Sequence, residues 1–277
     1  MSRWHAQLDI RYTLEDTRTV ARFSHNGPLR VLQSLYPEGD AVCHNVLVHP
    51  PGGLVGGDTL DIQLQLNAHS HALITTPGAT RFYRSEQGIA TQQVSVEVGE
   101  HARLEWLPLE TLAYNGCHGL NQSVFRLAPS AEMMAWDITA LGLPHANQPF
   151  EQGQLQQHME VGGLWLERGL IDAQDKRLLN SPVGLASQRC LSTFVFASGS
   201  ALSPARRNTA LDAAREFIDK AGKDIHAGVT APNDQMLVLR TLSAVTEPTQ
   251  NVLRGVWALW REHLWQMPST LPRIWAI

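Results

Sequence analysis

Charge is scarce in this chain. Of its 277 residues only 17% are Asp, Glu, Lys or Arg, against about 25% in a typical soluble domain. The 22 basic and 26 acidic residues leave a net charge of −4. That sign and size exclude a nucleic-acid binder that works by neutralising phosphates. Cysteine is nearly missing: Cys43, Cys117 and Cys190 are far apart and odd in number, so no disulfide framework is available. No apolar run approaches the roughly 18 residues of a membrane helix. The opening stretch mixes Arg, Asp, Glu and His without an apolar core, so no signal peptide is expected, and a reducing cytoplasm is the expected compartment. Nucleophile signatures are missing as well. There is no G-x-S-x-G elbow, no H-E-x-x-H, and no papain-like or caspase-like cysteine motif, so nothing nominates an enzyme.

What the chain does have is glycine (21) and proline (15) separating short apolar runs. Runs at 41–49, 59–66, 71–76, 91–98, 102–108, 122–127, 133–139 and 154–161 read as strands, and 60–66 alternates apolar and polar residues strictly. This pattern indicates a sandwich, a barrel or stacked sheets, although no fixed-period repeat stands out. Two helices are expected late. Ser203-Pro204 opens the first with a capping hydroxyl and a proline at its first position, and Gly222 stops it. The second runs over 248–266, with Val252, Val256, Leu259, Trp260 and Leu264 on one stripe. A strand at 235–240 lies between them. The chain reads as one mainly β, α+β domain over 1–277.

The densest motif is His49-Pro-Pro-Gly-Gly-Leu-Val-Gly-Gly-Asp58. Its glycines and prolines fix a tight irregular path. Three readings stand beside each other: a structural loop, a loop that binds something cationic or recognised through backbone, and a phosphate cradle. The last fits worst, because a P-loop needs Lys and Ser or Thr where Asp58 stands. Metal-ligand types occur at His69-x-His71, Cys43-His44 and Cys117-His118, none with the paired spacing of a zinc site. Glu105, Glu110, Asp137 and Glu167 lie among large apolar residues. Carboxylates so placed must be paired, hydrated or functional if buried. Glu105 and Glu110 could also form the acid–base pair of a β-rich hydrolase. Trp257, Trp260 and Trp265, with Trp275 beyond, are aromatic residues of the kind enriched at interfaces, so a partner surface is expected there.

The glycine-rich run, followed by Leu73-Ile-Thr-Thr-Pro-Gly-Ala-Thr80, Leu104-Glu-Trp-Leu-Pro-Leu-Glu110, Trp136-Asp-Ile-Thr-Ala-Leu-Gly142 and Leu166-Glu-Arg168, resembles the urease accessory protein family UreD, called UreH in some lineages. The resemblance covers about residues 27–185. It implies a fold of many short strands in stacked, β-helix-like sheets with a few helices. It also implies a non-enzymatic maturation factor that binds the urease apoprotein and works with UreF and, through UreF, with the GTPase UreG. Nickel would pass through an interior passage transiently, with no cofactor held tightly. On that implication Asp58, Asp137 and Glu167 are the foremost transit residues, with Asp61 and Glu110 behind them. His49, Gly52, Gly53, Gly56 and Gly57 would form a binding loop. Partners would cover much of the charge-poor surface, and the isolated protein would tend to associate.

Overall fold

The computed structural model describes residues 4–276. The chain winds between two sheets. The outer sheet runs in the order β14 (Trp165–Asp172), β13 (Gly153–Val161), β11 (Cys117–Leu127), β8 (Ala90–Val98), β5 (Thr59–Leu66), β1 (His5–Glu15) and β2 (Arg18–Asn26). The middle sheet runs β16 (Ile225–Thr230), β17 (Met236–Ser243), β15 (Cys190–Ser198), β12 (Glu132–Leu141), β9 (Arg103–Trp106), β6 (His71–Thr75), β4 (Val42–Val48) and β3 (Arg30–Val31). Two short strands, β7 (Thr80–Phe82) and β10 (Thr111–Ala113), join it beside β12. From β4 to β13 the chain alternates between the sheets, so parallel neighbours stack as successive coils of a β-solenoid. Thr59, Thr91, Leu120 and Gln156 stand side by side on the outer sheet. The coils therefore differ in length, and no fixed period survives in the sequence.

Alternation along the strands separates two cores. Leu60, Ile62, Leu64 and Leu66 of β5 face inward with Val94, Val96 and Val98 of β8, against Met133 and Ala135 of β12. The opposite side of the middle sheet presents Met134, Trp136, Ile138, Phe194 and Phe196 to a helical layer. That layer is α2 (Pro204–Asp219) and α3 (Thr246–Trp265); a short α1 (Lys176–Asn180) precedes both. Ser203 caps α2 by accepting from the Arg206 N–H, as its sequence predicts. The two long helices approach closely at Gly255, where a Cβ would stand 2.1 Å from the Phe217 ring.

The tryptophans correct the expectation of a partner surface. Trp257 and Trp260 are fully buried and Trp265 nearly so, all within the second core. Each indole N–H is used inside the chain. Trp257 donates to Glu105 at 2.5 Å, Trp260 to the Ala210 carbonyl at 3.3 Å and Trp265 to Glu132 at 2.6 Å. They share the inward stripe of α3 with Val252, Val256 and Leu264, because the middle sheet offers that helix a broad apolar face.

Candidate functional site

A polar row crosses the apolar space between the sheets. The register sets Gln92, Asn121 and Gln157 side by side on β8, β11 and β13. Across from them β12 contributes Asp137 and Thr139. Gln92 donates to the Asn121 side-chain oxygen (3.1 Å), and the Asn121 amide donates to Asp137 Oδ2 (2.6 Å). Asp137 Oδ1 accepts from Thr139 and from Gln157, each at 2.9 Å. Asp137 and Glu167 line one cavity of about 280 Å³. Glu167 accepts from the Thr193 hydroxyl (3.0 Å) and from Arg240 (2.8 Å).

Desolvation pushes the Asp137 carboxyl up to about 6, with Thr139, Gln157 and Asn121 donating against it and the Glu167 charge adding to it. Because the native value lies above the ordinary 3.8, Asp137 contributes most stability when protonated, and that contribution is lost as pH rises from about 4 through 6. The displacement amounts to at most about 3 kcal/mol. Asp137→Asn, which cannot ionise, is expected to gain about 2–3 kcal/mol relative to the native chain between pH 4 and pH 8. Urea denaturation at the two pH values reads this. A difference that stays constant would show that the carboxyl is not displaced.

The other expected transit residues lie elsewhere. Asp58 is buried but ties its own loop, accepting from the Val55 N–H at 3.0 Å. Asp61 faces outward, since β5 turns its even-numbered residues to the core; it accepts from Gln63 (2.7 Å) and lies 3.9 Å from His5. Glu110 faces α3 and accepts from Gln250 at 2.6 Å. Of the five carboxylates, the structure brings together Asp137 and Glu167. The Gly-rich loop requires glycine for a clear reason. A Cβ at Gly53 would lie 2.8 Å from the Arg81 carbonyl, and one at Gly56 2.1 Å from the Gln87 carbonyl. His49 and Gly52 border a second cavity of about 230 Å³, which also holds Arg81, Thr76 and Gln92. Gln92 thus touches both the loop cavity and the row that reaches Asp137.

The two carboxylates of the hydrolase alternative have separate partners. Glu105 is fully buried beneath α3, 2.7 Å from His71 Nε2 and 3.7 Å from Arg261 Nε, whereas Glu110 is bound by Gln250. Arg261 also grips Glu38 with two nitrogens (3.1 and 2.6 Å), and Glu38 lies 2.7 Å from His44 Nε2. This ionic network escaped sequence reasoning, because Glu38 and Arg261 sit on elements remote in the chain. Among the described residues no three His, Cys, Asp or Glu stand close enough to hold a metal. His69 stacks on His101, His71 is taken by Glu105, and burial pushes the Cys117 thiol up to about 12.

These features define a class: a coiled β scaffold closed by a helical layer, with a polar row through its interior and no tight metal cage among the described residues. A family model for the UreD urease accessory protein matches residues 5–276. The chain is 57% identical over 273 residues to the urease accessory protein UreD of Variovorax paradoxus (strain S110), covering 99% of both. It is 58% identical over 274 residues to that of Verminephrobacter eiseniae (strain EF01-2), again covering 99% of both. The chain belongs to the UreD urease accessory protein family. Its role is therefore in urease maturation. No helix among the described residues is long and apolar enough to cross a membrane.

Proposed function

We propose that the chain is a non-enzymatic, cytoplasmic maturation factor that passes nickel through its interior to the urease apoprotein. It would act with UreF and, through UreF, with the GTPase UreG. The observation that carries this reading is the polar row from Gln92 to Asp137, beside the cavity shared with Glu167. An apolar core gains nothing from such a row, since each buried polar group costs free energy unless it is satisfied. For a divalent ion the row supplies carboxylate, amide and hydroxyl oxygens. Such ligands suit a cation held loosely, whereas a cluster of thiolates and imidazoles would trap nickel. A passing ion would also favour the ionised form of Asp137, which desolvation otherwise opposes.

The reading is tested by expressing Asp137→Ala and Glu167→Ala separately with the urease genes. Each is expected to co-purify with UreF and urease as the native chain does, while the urease recovered contains less nickel per active site. Normal nickel content in both cases would remove the residue basis of the conduit. The outward face of the outer sheet, where Gln63, Gln93, Gln122 and Gln156 lie among charged residues such as Asp9, Arg11, Asp61 and Glu97, is compatible with being covered by these partners.

A further inference from the structure

The Gly-rich loop contains a group that nothing in the fold uses. His49 Nε2 is buried and has no hydrogen-bond partner. Leaving a buried polar atom unsatisfied costs about 1–3 kcal/mol. The loop leaves the ring little freedom to escape. The Gly52 N–H bonds back to the His49 carbonyl (2.8 Å), the Leu54 N–H donates to the Arg81 carbonyl while the Leu54 carbonyl accepts from the Tyr83 N–H, and the Gly57 N–H donates to the Ile89 carbonyl. The ring packs on Trp4 with centroids 5.0 Å apart. Burial pushes its pKa down, with the Asp58 charge acting against that, so the imidazole is neutral near pH 7, the form in which a ring nitrogen can bind a cation.

We propose that His49 is a divalent-cation ligand at the loop end of the interior, passing the ion to or from the row that begins at Gln92. The identity of the ion as nickel rests on the conduit reading above. Imidazole suits nickel, whereas the row beyond offers mainly oxygen, so the ion would meet one nitrogen ligand and then weaker ones. His49 and Gln92 line the same cavity, and Gln92 bonds through Asn121 to Asp137. Since no trio of ligating side chains gathers here, water and neutral oxygens complete the coordination. Arg81 lines the same cavity, its guanidinium 3.4 Å from the Gly52 carbonyl. Its positive charge shortens the stay of any cation, as a transit ligand requires.

The test uses the full-length protein and Ni²⁺ alone, by equilibrium dialysis and X-ray absorption near pH 7.5. The native chain is expected to bind a weak equivalent with imidazole in its shell. His49→Gln should weaken that equivalent roughly tenfold or more, and Arg81→Gln should tighten it. In the unmutated protein, paramagnetic Ni²⁺ should broaden the Trp4 indole signal before those of the other tryptophans. Trp4 signals untouched by Ni²⁺ would overturn the proposal, and this measurement decides alone if His49→Gln does not fold. So would unchanged nickel binding in folded His49→Gln. The two readings separate cleanly. Loss of binding at His49 with normally nickel-loaded urease in cells would uphold the ligand and sink the conduit. No binding at His49, with Asp137→Ala still lowering urease nickel, would do the reverse.

Discussion

Arg261→Met is expected to destabilise the protein by about 3–5 kcal/mol, a large share of the stability of a typical domain. The guanidinium is fully buried and serves two carboxylates from different elements, Glu38 before β4 and Glu105 on β9. Methionine fills a similar volume but leaves both acids in the core without their cation. In the native chain desolvation raises both carboxyls, yet His44 and Arg261 hold Glu38 below its ordinary value, and His71, Arg261 and the Trp257 N–H do the same for Glu105. Lowered native values mean that this stability is fully present above the ordinary carboxylate range and is lost as pH falls through the native values. Removing the cation lets desolvation dominate, so the sign reverses. The deficit of the variant should therefore be greater at pH 8 than at pH 5, as read by urea denaturation. A deficit below about 1 kcal/mol at both pH values would show that the network is not held by Arg261. Glu105→Gln added to Arg261→Met should recover part of the loss, because it removes one orphaned charge.

Trp260→Ala is expected to cost about 3–5 kcal/mol as well, for a different reason. The ring is fully enclosed, packs at a tilt on Phe194 with 4.6 Å between centroids and uses its N–H on the Ala210 carbonyl. Truncation removes a large apolar surface and opens a cavity between α2, α3 and the middle sheet. The melting temperature and the urea midpoint should both fall. UreF pull-down at low temperature, where the variant is still folded, should survive. The opposite pattern, near-native stability with lost UreF capture, would restore the interface that the sequence suggests for this residue.

The architecture was legible where periodicity was strong. The strand at 59–66 and both long helices fall where alternation, capping and apolar stripes place them. β1 was not marked, although Ala6, Leu8, Ile10 and Tyr12 alternate inward as regularly as β5 does; its charged intervening residues masked the signal. The site was legible only as residue types. Asp137 and Glu167 stood out as carboxylates among apolar neighbours, and the structure sets them on one cavity. Asp61 has the same composition around it, but strand parity turns it outward. Gln92, Asn121 and Gln157 could not be found by any local rule, because ordinary polar residues become a row only when the coils stack in register.

The bond between Arg261 and Glu38 joins positions near opposite ends of the chain, and it has a bearing on synthesis. The ribosome releases Glu38, His44, His71 and Glu105 well before it makes α3. The coils can stack as they emerge, but these groups stay unsheltered until the final helix arrives with its guanidinium. A chain that stops short of residue 261 would present acidic residues on a half-covered apolar sheet, a form suited to capture by chaperones and proteases. The last helix thus completes the charge balance of an interior whose acidic residues were all made before it.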